Sequence, residues 1–546
     1  MTLKLMPATS GILAVLLLAG CASHPTTPST KETGPKASQV PTDVSNSTNQ
    51  EPLRIIVSFP ANVHPTPISG RVLLFLCHPG AVEPARWLDF FHPQPVFGID
   101  VTNVSPGGEV VFDPEKFGSP EALAFPTGLG YLDPGTYYAQ AVVDLDNHRP
   151  GYHNSGNLYS PRLECRLAGS KGGTIKLVMD KAMEELVPPP KDTEWVKRVE
   201  IRSKLLSDFH GREVMLRAGV VVPSTFCEKP DQQFPALYEI RGTGGSYTSA
   251  WWFDDDEEGA KKWKAGQWPL QRLHVVLDGE CSLGNSLFAN SANNGPVSDA
   301  LVQELIPEIE RRFRAIPHGY ARFLTGFSGG GWASLWLQVT YPEFFGGCWS
   351  FSPGAVDFRN FGTVNIYEER NGQWTPDGHP RPVARMDGKV VLTLPQCILW
   401  EYVVGDGYIN GSVEAAFSPR GADGRPQRLI DPLTGRIDRQ VAAYWRRYDI
   451  LSLLERNWQT LGPKLKGKLH VVCGGTDTFY LNPAVESLQD FLKTTDYGGY
   501  VELPPGNHGN YRTDAHGGLE HEIAEQFAAA QKASPEPPVR TQGTSP

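Results

Sequence analysis

Residues 322–336 read RFLTGFSGGGWASLW, and the reading of this stretch decides the fold. Arg322 to Thr325 has the character of a buried strand, and Trp332 to Thr340 that of a helix ending before Pro342. Between them, Gly326-Phe327-Ser328-Gly329-Gly330 is the only G-x-S-x-G in the chain. The pattern alone is weak in a sequence with 56 glycines among 546 residues. Its setting strengthens it, because a strand, a serine in a glycine-flanked turn and a helix make up a nucleophile elbow. Glycine is needed on both sides because the turn is sharp and neighbouring chain packs closely against the serine. Ser328 is therefore the candidate nucleophile.

A serine hydroxyl attacks poorly without a base, and the base needs an acid to orient it. Five histidines follow Ser328: His379, His470, His508, His516 and His521. His470 sits inside a strand-like run and reads as packing, and His521 lies on a helical pattern. His508, in PPGNHG at 504–509, follows the last strand-like run and would stand over the carboxyl edge of a sheet. Asp477 follows the strand Leu469 to Cys473 and precedes His508 by 31 residues, room for one helix and one strand. Pro483 to Leu492 supplies that helix, with Asn482 as its expected N-cap. Asp406, in Gly405-Asp406-Gly407, is the competing acid. An oxyanion requires two donors. Gly329 N–H is one candidate, and Thr243 or Gly244 in the loop Arg241-Gly242-Thr243-Gly244-Gly245 is the other.

Outward from this centre, apolar runs alternate with amphipathic segments over residues 195–530, as in a mostly parallel sheet covered by helices on both faces. Strands are expected at Met215–Val222, Ala236–Ile240, His274–Leu277, Phe323–Phe327, Leu469–Cys473 and Tyr500–Leu503. Leu301, Leu305, Ile309 and Phe313 mark a helix that Pro307 should kink or restart. Phe358 to Asp449 breaks the alternation and reads as an insertion able to cap the site. Residues 51–185 show short strands between turns, including Leu53–Phe59, Arg71–Cys77, Val96–Thr102, Thr136–Asp146 and Thr174–Met179. That texture predicts a β-sandwich of the immunoglobulin-like kind. Pro188 to Pro190 mark the boundary between the two parts.

The first 21 residues read as an export signal: Lys4, then a short apolar run from Ile12 to Leu18, too short to span a bilayer. Leu18-Ala19-Gly20-Cys21 resembles the lipobox of bacterial lipoproteins, which implies lipidation at Cys21 and a membrane anchor on the periplasmic or outer-membrane side. Residues 22–50, rich in Ser, Thr and Pro, read as a flexible tether, and 533–546 as a disordered tail. A net charge of -10 with no basic face argues against nucleic-acid binding. The remaining cysteines, Cys77, Cys165, Cys227, Cys281, Cys348, Cys397 and Cys473, show no metal-ligand spacing, and their pairing is not readable.

Five blocks carry a family resemblance: FANSANNGP (288–296), ELIPEIERRF (304–313), RFLTGFSGGGWASLW (322–336), YPEFFGG (341–347) and GGTDTFYL (474–481). They resemble the putative-esterase group of the α/β-hydrolase superfamily, which includes enterochelin-esterase-like, esterase D-like and feruloyl-esterase-like enzymes. The resemblance implies an α/β-hydrolase fold, no cofactor, and a Ser328, Asp477, His508 triad. It departs from the group at Arg241-Gly242, where His-Gly is usual, and in the long insertion. Both departures bear on substrate, a carbohydrate-linked, feruloyl-type or siderophore ester. Trp251, Trp252, Trp263 and Trp268 could stack on such a group or simply pack a loop. The rival readings are a surface-anchored ligand-binding lipoprotein with a hydrolase-fold scaffold, and an acyltransferase using the same triad.

Overall fold

The computed structural model describes residues 52–533, apart from 82, 85–93, 120, 146–148, 170, 172, 185–189, 243, 256, 406–407 and 511–515. The N-terminal part is β-rich. Its strands are β1 (Arg54–Ser58), β2 (Ile68–Cys77), β3 (Val96–Val104), β4 (Val110–Phe112), β5 (Ala122–Phe125), β6 (Gly135–Asp144), β7 (Leu158–Tyr159), β8 (Leu163–Leu167), β9 (Thr174–Val178) and β10 (Lys181–Ala182). They form two sheets, β4-β1-β9 and β10-β7-β6-β2-β3-β5, with β8 also paired to β6. Alternation decides which residues are buried. Ile55 and Val57 of the small sheet meet Leu74, Leu76, Ala139 and Ala141 of the large one in a single apolar cluster. The intervening residues of the large sheet, Leu73, Phe75 and Val142, face the other way and are buried too. A sheet buried on both faces needs a second cover, and the insertion supplies it.

The second part is built on β11 (Val196–Arg202), β12 (Met215–Val221), β13 (Ala236–Ile240), β14 (Leu273–Leu277), β15 (Arg322–Phe327), β16 (Gly347–Phe351), and then, beyond the insertion, β19 (Leu469–Val472) and β20 (Tyr500–Glu502). Sheet order is β11-β12-β14-β13-β15-β16-β19-β20. The two pairings made by β12 are antiparallel, and all those from β14 to β20 are parallel. Central strands read as continuous apolar runs because both faces are covered. Tyr238 and Leu324 pack against α1 (Ile306–Phe313) and α2 (Gly329–Thr340), whereas their neighbours Leu237 and Phe323 pack against α7 (Leu519–Ala533).

Two strands of this eight-stranded sheet lie where none was expected, β11 and β16. The helix at Leu301–Phe313 does restart, through a π-helical turn at Leu301–Leu305 that accommodates the N–H missing at Pro307. Asn482 opens helix α6 (Asn482–Lys493) as its first residue and does not cap it; Leu481 occupies the N-cap position. The seven described cysteines are unpaired.

The insertion, between β16 and α5 (Ile450–Leu465), contains the hairpin β17 (Pro382–Met386) and β18 (Lys389–Thr393), then α3 (Leu394–Val404) and α4 (Ile409–Phe417). Thr393 and Gln396 form a capping box at the start of α3. Trp400, Val403 and Val404 of that helix bury against Leu73, Phe75 and Val96 of the N-terminal sheet. Arg71 completes this contact. Its Nε donates to Val403 O at 2.7 Å and an Nη to Tyr402 O at 3.1 Å, placing a cation on the carboxyl end of α3. Asp100 pairs with the other Nη at 2.6 Å.

Candidate active site

Three strand ends converge at the carboxyl edge of the sheet. From β15 the chain enters the turn with Ser328 at φ 58° and ψ -122°, a conformation that non-glycine residues rarely adopt. Close packing enforces it. A Cβ on Gly326 would stand 2.1 Å from Gly330 O, and one on Gly330 would stand 2.0 Å from Ile240 O. No residue but glycine fits at either position. Ser328 N–H donates to Phe351 O at 2.9 Å, which ties the turn to the neighbouring strand. Ser328 itself is half-buried, and α2 begins at Gly329, whose N–H has no acceptor within the helix.

Asp477 and His508 are both fully buried, and His508 Nδ1 lies 2.7 Å from Asp477 Oδ2. Asp477 is acceptor-only when ionised, so Nδ1 carries the proton and Nε2 of the neutral ring keeps its lone pair. Nε2 is buried and has no hydrogen-bond partner among the described residues. The other carboxylate oxygen, Oδ1, accepts from Phe479 N at 2.8 Å. Two rings hold the imidazole: Phe327, the residue before Ser328, at 4.7 Å and Phe479, edge-on, at 4.9 Å. Ser352 Oγ donates to His508 O at 3.0 Å.

The glycine-rich loop after β13 runs beside the serine. A Cβ on Gly242 would lie 3.4 Å from Ser328 Cβ, so Gly242 runs directly against the turn. Gly244 is exposed, with φ +81° and open space around it. Thr243, like Asp406 and Cys21, lies outside the described residues. Arg241 pairs with Glu239 at 2.9 Å, and its Nε donates to Ser249 Oγ at 2.9 Å, so its charge is engaged beside the loop.

The other candidates separate cleanly. His470 stacks on Trp349 at 4.6 Å, and burial pushes its pKa down to about 4, the behaviour of a packed histidine. His516 pairs with Glu502, His521 with Glu525, and His379 is exposed. Trp251, Trp252, Trp263 and Trp268 pack around Phe253, Val196, Val221 and Val276. The Trp263 N–H donates to Val222 O. The packing reading therefore holds for these tryptophans. Among the described residues no cluster of His, Cys, Asp and Glu could hold a metal ion. No described helix is long and apolar enough to cross a membrane.

Sequence reasoning missed the β17–β18 hairpin, which lies directly on the acid loop. Arg385 N–H donates to Thr478 O at 2.9 Å and its Nε donates to Asp477 O at 3.0 Å. The signal was present: Asp387-Gly388 joins the two strands with φ +48° and +74°, the two-residue turn that this dipeptide favours.

Residues 280–394 match the family model described as "Putative esterase". No curated protein sequence matches the chain. Among solved structures, a ferulic acid esterase is similar at 12% identity, over 62% of this chain and 96% of that one, with a TM-score of 0.36. The Staphylococcus aureus fluorophosphonate-binding serine hydrolase FphF is 14% identical over 61% and 98%, with a TM-score of 0.35. An S-formylglutathione hydrolase from Agrobacterium tumefaciens is 15% identical over 63% and 96%, with a TM-score of 0.34. The matched residues contain the serine turn and strands β15 and β16 of the parallel sheet, so this part of the chain is similar to a putative-esterase domain.

Proposed function

We infer that the protein hydrolyses its ester through an acyl-enzyme on Ser328, with His508 as base and Asp477 as the acid that orients it. The observation that carries this reading is the buried Asp477–His508 pair with an unpartnered Nε2, beside a serine held at a strained turn. His508 Nε2 takes the Ser328 hydroxyl proton as Oγ bonds to the ester carbonyl carbon. The resulting oxyanion is met by Gly329 N–H and by a donor from the Arg241–Gly245 loop, Thr243 or Gly244. When the tetrahedral intermediate collapses, the alkoxy C–O bond breaks and the imidazolium protonates the departing alcohol. Water then gives a proton to His508 and attacks the acyl carbon. The Oγ–C bond breaks as the imidazolium returns its proton to Oγ, which releases the carboxylic acid and restores free Ser328 and neutral His508.

The substrate we assign is a carbohydrate-linked, feruloyl-type or siderophore ester; the resemblance to feruloyl-esterase-like enzymes supports the first two, and the order of a β-rich part before the hydrolase part supports the third. The enzyme is exported, lipidated at Cys21 and tethered to a bacterial membrane by residues 22–50. Its β-rich part is a sandwich of the immunoglobulin-like kind.

The test is covalent labelling with a fluorophosphonate, mapped by mass spectrometry. Label should appear on Ser328 and vanish in Ser328→Ala and His508→Ala. Turnover of p-nitrophenyl acetate should fall by about three or more orders of magnitude in either variant. Full turnover by Ser328→Ala would sink the assignment.

A further inference from the structure

A triad depends on the loop that carries its acid, and here that loop is gripped from outside the sheet. Residues 477–481 follow β19 without joining regular structure before α6 begins at Asn482, so something must fix their backbone. Asp477 supplies part of the answer itself, accepting Phe479 N–H at 2.8 Å. Turn bonds add to it, Asp477 N–H to Gly474 O at 3.0 Å and Tyr480 N–H to Asp477 O at 3.2 Å, and one residue of the insertion grips the loop from outside. Arg385 donates its main-chain N–H to Thr478 O, its Nε to Asp477 O, and an Nη to Asn482 Oδ1 at 3.3 Å. Its guanidinium also lies 4.4 Å from the centre of the Tyr480 ring. Tyr480 has φ +56°, a left-handed conformation that needs outside support in a bulky residue. Four of the six residues from 477 to 482 are thus held by a single arginine.

The same hairpin reaches the base. Ala384 and Leu392, on its inward face, form an apolar cluster with Cys397, and Phe479 packs against that cluster. Phe479 in turn presents its ring edge to His508. Met386, Val390 and Val391, nearer the tip of the hairpin, are exposed.

We propose that Arg385 is a positioning residue of the active site. From the β17–β18 hairpin it fixes the Asp477–Asn482 loop, keeping the carboxylate aimed at His508 Nδ1. The residue touches no reacting atom and acts through Asp477. A planar guanidinium can serve a main-chain carbonyl, an amide oxygen and an aromatic face together, which an ammonium cannot. The proposal rests on the serine-esterase reading, so its test includes a control that fails separately.

The experiment uses the full chain with p-nitrophenyl acetate. Arg385→Ala should lower kcat by about tenfold to a hundredfold, the scale of a misplacement of about 1 Å, with KM changed less than about twofold. Arg385→Lys should recover part of that loss. The far-downfield proton resonance of the His508–Asp477 hydrogen bond should broaden or disappear in Arg385→Ala and return in Arg385→Lys. Val390→Ala, at an exposed position near the tip, should behave as wild type. Should Arg385→Ala fail to fold by circular dichroism, the kcat of Arg385→Lys decides. Wild-type kcat and resonance in folded Arg385→Ala, or, where that variant does not fold, wild-type kcat in Arg385→Lys, with Ser328→Ala inactive, would overturn the positioning role alone. Activity surviving in Ser328→Ala would overturn both readings.

Discussion

Glycines at the serine turn carry constraints of different kinds, and their replacement should separate them. Gly330 lacks room: an added Cβ, at the start of α2, meets Ile240 O at the end of β13 at 2.0 Å. Gly330→Ala should cost about 3 kcal/mol or more in urea unfolding and abolish activity. Gly244 has room but a positive φ, so Gly244→Ala should cost only about 1–2 kcal/mol. Asp278, at the carboxyl end of β14, offers a pH test. Burial, with the nearby Glu280 charge, raises its pKa to about 7, although the Glu280 N–H and Arg217 pull the other way. The folded state keeps this proton up to about pH 7, whereas the unfolded chain loses it near 3.8. The stability it contributes is complete below the unfolded value and is lost as pH rises through about 7. Asp278→Asn should therefore leave the melting temperature unchanged at pH 4 and raise it at pH 8. Equal effects at both pH values would show that the carboxyl does not titrate in this window.

Elements differ in how much of their cause is local. The serine turn was legible because its signal, Gly326, Ser328 and Gly330 between a strand and a helix, is written in five consecutive residues. The pair Asp477 and His508 was legible because each follows a strand of strong apolar pattern. Strand β11 was not, since its buried residues Val196 and Val199 lie three apart and leave no alternation to read. The insertion was opaque for another reason: its order comes from long-range partners. Asp449 shows this. It caps α5 by accepting Ser452 N–H at 2.9 Å, and its second oxygen accepts Phe358 N–H at 3.1 Å and the Tyr367 hydroxyl at 2.8 Å. One buried carboxylate thus fastens the insertion's beginning to its end. Asp449→Ala should cost about 2–4 kcal/mol, more than an exposed cap, because it leaves those donors unpaired. Asp449→Asn should cost less.

At the scale of the whole molecule, the β-rich part and the esterase part share one apolar interior through α3. Gly98 lies at its tightest point, where a Cβ would meet Val403 O at 2.5 Å and the Arg71 guanidinium at 2.8 Å. Gly98→Ala should push α3 off the sheet, and calorimetry should then resolve two unfolding transitions where the wild type shows one. A single, unshifted transition in the variant would mean that the contact carries no cooperativity. The triple proline at 188–190 looks, by composition, like a natural place to divide the chain. Cut there, the esterase part would present Trp400, Val403 and Val404 to water, and the β-rich part Leu73, Phe75 and Val96. Each half would then carry a sticky face, prone to aggregation, that only its companion covers. In evolutionary terms the two halves are an inherited pair, and neither can be shuffled into another gene without a substitute for its lost neighbour.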